Sequence, residues 1–328
     1  MEAFPSPIIY PIRDSEDTGN RIFVCRDDLL PQGLGGNKVR IAQEYVSDMF
    51  RHECNCMVAY GNARSNLCRV LASMCCARNI PCYVICSRES YEQAHAETAN
   101  SRMMRLLGAE MVECEKDSIS SAVLSLLSRL KKQGLKPYYI FGNELGRGNE
   151  GVPAMAYAKA YAGIVTAAGE DGEEPEMIFH ASGTGATQAG LICGHLLRGD
   201  QTSVYGILIS SRTQKRAISI IREGIVSCMS LLGADLPDTC NDEIRLLCNY
   251  TAGGYGLYHE EILSCIRTQL RENALPLDPV YTGKAFWGMT QYLKENRISG
   301  KKILFLHTGG TPLFYDTLLS GSLDQEKR

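Results

Sequence analysis

The sequence predicts an α/β protein of two domains, each with a mostly parallel sheet flanked by helices. Three observations carry this. Short apolar runs alternate with longer amphipathic stretches along most of the chain, the pattern of successive strand–helix units. The apolar runs are continuous rather than alternating, as in IFHAS (178–182) and ILFLHT (303–308), which suits strands covered on both faces. The length of 328 residues fits two domains at roughly 150 residues each.

Taken in order, Lys38–His52 is a helix, because Val39, Ile41, Ala42, Tyr45, Val46 and Met49 recur on one stripe. Met57–Tyr60 and Cys82–Cys86 are compact apolar strands, separated by the helical stretch Asn66–Arg78. Helix Glu97–Leu107, strand Glu110–Glu113, helix Ser120–Gln133, strand Tyr138–Phe141 and helix Ala154–Ala168 continue the alternation. The polar stretch AAGEDGEEPE (167–176) reads as a connection. Beyond it come strand Met177–Ala181, helix Ala186–Leu197, strand Val204–Ile209 and helix Arg212–Leu232. Helices Tyr258–Glu272 and Gly283–Glu295, strand Ile303–His307 and helix Thr311–Leu319 complete the chain. There is no internal repeat and no low-complexity tract.

Hydrophobic residues at 45% and charged residues at 22% are ordinary for a globular protein and exclude disorder, coiled coil and collagen. A net charge of −3 offers no excess for nucleic acid or a membrane surface. The N-terminal stretch MEAFPSPIIYPIRDSED lacks a basic segment followed by an apolar run, and no window approaches about 18 apolar residues. The expectation is a cytoplasmic protein with reduced cysteines.

Two counts stand out: 14 cysteines and 31 glycines. Seven cysteines lie between 54 and 86, spaced C-x-C, C-C and C-x3-C. Metal sites favour C-x2-C pairs, so these read as small buried hydrophobes and no metal is expected. Fourteen of the glycines fall in six clusters: QGLGGNK, YGNARSN, ASGTGATQAG, TAGGYG, YTGKAFWG and HTGG. Several follow a strand or open a helix, where α/β proteins bind ligands. The plainer alternative is tight turns.

The cluster Ser182–Thr187 is the most informative. A strand enters it and an apolar helix leaves it, so backbone N–H groups can converge on an anion. No Lys-Ser/Thr follows and the next glycine is Gly190, which disfavours nucleotide loops and favours a small phosphate monoester. Lys38, after GLGGN, is either an ordinary surface lysine or, beside such a loop, a Schiff-base former.

The motifs GGNKVR (35–40), ARSN (63–66), SGTGATQAG (182–190), YGL (255–257), DPVYTGKA (278–285) and HTGG (307–310) resemble the pyridoxal-phosphate enzymes of the tryptophan-synthase-β-like fold. The nearest group is that of D-cysteine desulfhydrase and 1-aminocyclopropane-1-carboxylate (ACC) deaminase. The resemblance covers roughly residues 30–315. It implies pyridoxal 5′-phosphate as cofactor and Lys38 as the Schiff-base lysine. Asn66 resembles the partner of the cofactor's ring hydroxyl, and Ser65 the serine that contacts substrate or moves a proton. Gly183, Thr184, Gly185, Ala186 and Thr187 resemble the phosphate cup. Tyr255 and Tyr281 resemble two tyrosines beside the substrate, and Thr308 the neutral partner of the pyridine nitrogen. A hydroxyl there makes a shallower electron sink than a carboxylate, which favours lyase chemistry over transamination.

Two departures matter. ACC deaminases carry glutamate after the second tyrosine, whereas Thr282 stands here as in the desulfhydrases. The family's IQSN is ARSN here, and Arg64 is either structural or a recognition group for an extra substrate anion. The implied reaction is α-proton abstraction and β-elimination on a small amino acid, giving a 2-oxo acid and ammonia. β-Replacement to a non-protein amino acid, ACC deaminase-like ring opening and a non-catalytic pyridoxal-phosphate-binding protein are the alternatives, and a dinucleotide-binding protein is weaker still. The resemblance also implies a homodimer. It places a large cofactor domain at 1–45 with 165–328 and a small domain at 46–164.

Overall fold

The computed structural model describes residues 6–15, 17–88 and 97–324. The first five residues and Glu16 of the N-terminal stretch read above lie outside the described residues. Ten helices and ten strands are present among the described residues. They build two sheets, and both are dominated by parallel pairing.

The four-stranded sheet contains β3 (Cys56–Gly61), β4 (Cys82–Ser87), β5 (Glu110–Cys114) and β6 (Pro137–Tyr139), in the order β5-β4-β3-β6 and wholly parallel. Its helices are α2 (Asn66–Cys76), α3 (Ala99–Leu106) and α4 (Ile119–Lys132). The six-stranded sheet has the order β1-β2-β10-β7-β8-β9. Its parallel centre is β10 (Lys302–Leu306), β7 (Met177–Ser182) and β8 (Ser203–Leu208). Strand β1 (Ile9–Ile12) adds an antiparallel edge to β2 (Arg21–Cys25), and β9 (Arg245–Leu247) closes the other edge.

The sequence pattern missed β1, β2 and β9. Pro11 interrupts β1, which an edge strand tolerates because one side of its backbone is unpaired. Strand β9 has only three residues, too few to show periodicity. The other seven strands lie where expected, although β6 ends at Tyr139 because the chain turns through Ile140–Gly142.

Side chains of β7 alternate between two cores. Ile178 packs in one and Phe179 in the other, so both faces of the large sheet are covered. On one face lie α5 (Val152–Ala168), α6 (Ala186–Arg198) and α7 (Gln214–Leu232). On the other lie α8 (Glu260–Asn273) and α9 (Thr282–Glu295). Helix α1 (Asn37–Arg51) packs on both α2 and α5, and α10 (Thr311–Leu319) reaches α3. Ten of the 14 cysteines are buried, in keeping with hydrophobic packing. Cys76 is the exception to correct: it is exposed, because it ends α2 about 100° around the helix from buried Cys75. No helix among the described residues is long and apolar enough to cross a membrane.

Helices α5 and α6 approach very closely because two glycines open the contact. A Cβ on Gly190 would lie 2.2 Å from the Ala154 carbonyl oxygen, and one on Gly194 would lie 2.2 Å from Tyr161 Cβ. Overpacking of this kind costs about 1–3 kcal/mol per site. Gly190→Ala and Gly194→Ala should each lower stability by that order in chemical denaturation, while Gly163→Ala on open surface should be neutral or stabilising by up to about 1 kcal/mol. Equal effects at all three positions would contradict this packing account.

Candidate active site

The strongest structural signal is the meeting of three glycine-containing turns around Asn37. The backbone N–H of Asn37 donates to the Thr308 carbonyl at 3.0 Å. Its side-chain Nδ2 donates to Thr187 Oγ1 at 2.9 Å. Glycine is required for the approach: a Cβ on Gly309 would lie 2.6 Å from Gly36 Cα, and both residues have positive φ. Lys38 is the next residue after this junction. The loop before it is held by the buried pair Arg40–Asp27, bonded twice at 2.9 and 3.0 Å, while the Asp27 carbonyl accepts from Gly36 N–H at 2.8 Å.

Lys38 lies in the first turn of α1, where the helix dipole disfavours a cation. It keeps some solvent contact, yet protein surrounds it closely enough that burial lowers its ammonium to about 8. Within electrostatic reach lies His180 on β7, fully buried and held neutral, its value lowered to about 4 by burial. Its Nδ1 bonds the Ala181 carbonyl at 3.0 Å, and its Nε2 has no partner among the described residues.

The turn Gly183–Gly185 leads from β7 into α6. Gly185 is left-handed at φ 83°, and α6 begins with no side-chain cap. Its first N–H groups are therefore open to an anion. Thr187 is buried against Asn37, Ala186 is half-buried, and Thr184 is exposed at the tip of the turn. Arg212, which the sequence reading missed, donates to the Gly183 carbonyl at 2.7 Å.

Ser65 caps α2, its Oγ accepting from Cys68 N–H at 3.2 Å. Asn66 Oδ1 accepts from Asn100 at 3.0 Å, which leaves its amide nitrogen as the group to present to a ligand. Asn100 also donates to the Arg64 carbonyl, and Thr98 to that of Ala63. The ARSN turn is thus held from α3. Arg64 lies within electrostatic reach of Asp316, whose carboxylate also accepts from Ala99 N–H.

The hydroxyls of Tyr255 and Tyr281 are 2.8 Å apart with their rings edge to face. The Tyr281 ring reaches the phosphate-type turn, 4.0 Å from where a Gly183 Cβ would stand. Arg69 is fully buried, donates to the Gly35 carbonyl at 3.3 Å and lies within electrostatic reach of Tyr281. Its Nε and Nη1 have no partner among the described residues, and burial lowers it to about 10. The sequence reading missed Arg69; its place three residues after Asn66, on the same helix face, was the available signal. The turns of Lys38, Thr187 and Thr308 thus meet at Asn37, Tyr281 lies beside Gly183, and Arg69 links the helix of Ser65 and Asn66 to the Gly35 loop.

Residues 1–309 match the description "Pyridoxal-phosphate dependent enzyme". The chain belongs to this family. An ACC deaminase homologue of known structure is 25% identical, with 98% of this chain and 95% of that one covered at a TM-score of 0.83. A hydrogen sulfide-producing enzyme from Fusobacterium nucleatum is 19% identical over 92% and 94%, at 0.65. A pyridoxal 5′-phosphate-dependent aspartate racemase is 13% identical over 94% and 91%, at 0.63. The last two share the fold.

The residues present fit the cofactor. A phosphate suits the uncapped start of α6, and an aldehyde suits an amine whose proton is easily lost. Because Lys38 is lowered to about 8, the neutral amine is already common near that pH. Uptake of pyridoxal phosphate by the apoenzyme should accelerate about tenfold per pH unit below 8 and level off above it. Stopped-flow absorbance measures this, and a rise continuing toward the ordinary lysine value of about 10.4 would contradict it.

Proposed function

We propose that the chain is a pyridoxal-phosphate-dependent lyase that removes the α-proton of a small amino acid and expels a β-substituent such as thiol. The products are a 2-oxo acid and ammonia, as in D-cysteine desulfhydrase. The observation that carries this reading is the state of position 282. Thr282 is fully buried, and its hydroxyl donates to Asp278 at 2.9 Å while accepting from Asp278 N–H at 2.9 Å. A carboxylate is absent there and the hydroxyl is consumed in the start of α9. Ring opening of the ACC deaminase kind therefore has no acid or base at this position.

The bound cofactor supplies an electron sink for the carbanion left by α-proton loss. Lys38 Nζ takes that proton, helped by the burial that keeps much of it neutral near pH 8; the expelled thiol leaves with a proton, and water hydrolyses the released enamine to the 2-oxo acid and ammonia. Ser65, at the start of α2, and the amide nitrogen of Asn66 orient the substrate and the cofactor ring hydroxyl. The turn Gly183–Gly185 with Ala186 and Thr187 at the start of α6 would hold the phosphate. Thr308 would offer the pyridine nitrogen a neutral group. The Tyr255–Tyr281 contact of 2.8 Å allows one phenol to hand a proton to the leaving group while the other shares its charge.

Arg64 recognises a second anion on the substrate within this reading, with Asp316 restraining it. We further propose a cytoplasmic homodimer without nucleic-acid or membrane partners, its chain divided into 1–45 with 165–328 and 46–164 and the cofactor between them.

A screen of D- and L-amino acids, including dicarboxylic and phosphorylated ones, tests the proposal through release of 2-oxo acid and ammonia. Lys38→Ala should lose the visible band of bound cofactor together with turnover. Tyr281→Phe should keep the band and lose about 10²–10⁴-fold in kcat. Preferential incorporation of a supplied nucleophile would replace lyase by synthase. Activity confined to neutral substrates would remove the role given to Arg64.

A further inference from the structure

Lys284 lies in the first turn of α9 with its side chain fully buried. A buried ammonium is unfavourable unless its donors are met. Two are met by carbonyls of a single turn: Nζ donates to Thr251 at 2.8 Å and to Gly254 at 2.6 Å. That turn carries Tyr255. Each of these carbonyls also accepts a bond inside the turn, from Gly254 N–H and Leu257 N–H respectively. Lys284 therefore uses their second lone pairs.

The turn needs an external tie. Ala252, Gly253, Gly254 and Gly256 all have positive φ, between 49° and 125°. Three glycines carry no side chain that could anchor the backbone, and they lose the most freedom on ordering. The Lys284 ammonium replaces the missing anchors with charge-assisted hydrogen bonds. Burial lowers the Lys284 ammonium to about 8, and Asp278, within electrostatic reach, opposes this by favouring the charged form.

The same helix start controls the second tyrosine. The Asp278 carboxylate accepts N–H bonds from Val280 at 2.9 Å, Tyr281 at 2.8 Å and Thr282 at 3.1 Å. Tyr281 immediately precedes α9 and Lys284 lies three residues further on. One rigid helix start thus holds the backbone of Tyr281 and the turn of Tyr255.

We propose that Lys284 is a positioning residue whose buried ammonium holds the Tyr255 turn and so sets the contact between the Tyr255 and Tyr281 hydroxyls. The inference rests on the lyase reading for its catalytic consequence, but not for its structural one. The test uses the holoenzyme with Lys284→Met, Tyr255→Phe and their combination. Hydrogen exchange in 252–257 should quicken about tenfold or more in Lys284→Met, with β7 and α6 unchanged. Turnover should fall to about the Tyr255→Phe level, and adding Tyr255→Phe to Lys284→Met should cost no more than about twofold further. Lys284→Gln, which keeps two donors without charge, carries the exchange measurement should the Met variant not fold; its exchange should then lie between wild type and full loss of protection. Unchanged exchange in the substituted protein, or losses in turnover that multiply, would overturn the proposal. A wild-type protein without a visible cofactor band would instead overturn the lyase reading and leave the exchange result standing.

Discussion

The arrangement depends on how closely the backbone at Gly36 comes to the backbone at Gly309. Any side chain at Gly309 would collide with Gly36 Cα at 2.6 Å. This approach places Asn37 where its backbone reaches Thr308 and its side chain reaches Thr187. Lys38, the open start of α6 and the end of β10 are then registered by one residue. Two bonds from Asn37 do what a longer side-chain network would do elsewhere, because the glycines remove the intervening volume.

Around this junction lie the cations Lys38, Arg40 and Arg69 and the buried acids Asp27, Asp28 and Asp278. Arg40 is paired with Asp27 and serves the loop. Lys38 and Arg69 have no such ion pair among the described residues, and burial lowers both. Unpaired buried charge is disfavoured, so such groups mark places where function outweighs stability. A phosphate monoester and an amino-acid carboxylate are the complementary partners. The orphaned Nε and Nη1 of Arg69 belong to the same pattern, as donors left unmet among the described residues. The orphaned Nε2 of neutral His180, whose Nδ1–H donates to the Ala181 carbonyl, is an acceptor and does not.

Much of the fold was legible in the sequence because local periodicity and continuous apolar runs report directly on burial. Helix α1 showed its stripe, and β7 and β10 showed that both faces are covered. Strands β1, β2 and β9 were not legible. β1 and β9 are edge strands, β9 of only three residues, and five-residue β2 takes its place by pairing with β10, far away in sequence. The cysteines were read correctly as mostly core, and Cys76 departed only because a helix turn points it outward.

For the site, residue chemistry and motif order determined which groups to consider: Lys38, Ser65, Asn66, the turn 183–187, Tyr255, Tyr281 and Thr308. Membership of the pyridoxal-phosphate dependent family agrees with the expected cofactor. Only the tertiary structure decided which other residues adjoin them. Arg69 joins α2 to the Gly35 loop, Arg212 grips the Gly183 carbonyl, and Asp316 faces Arg64. It also decided that Lys284 serves a turn some 30 residues away. The physical reason is that a side chain's type is local, whereas burial and hydrogen-bond partners depend on strand order and helix packing across the whole chain.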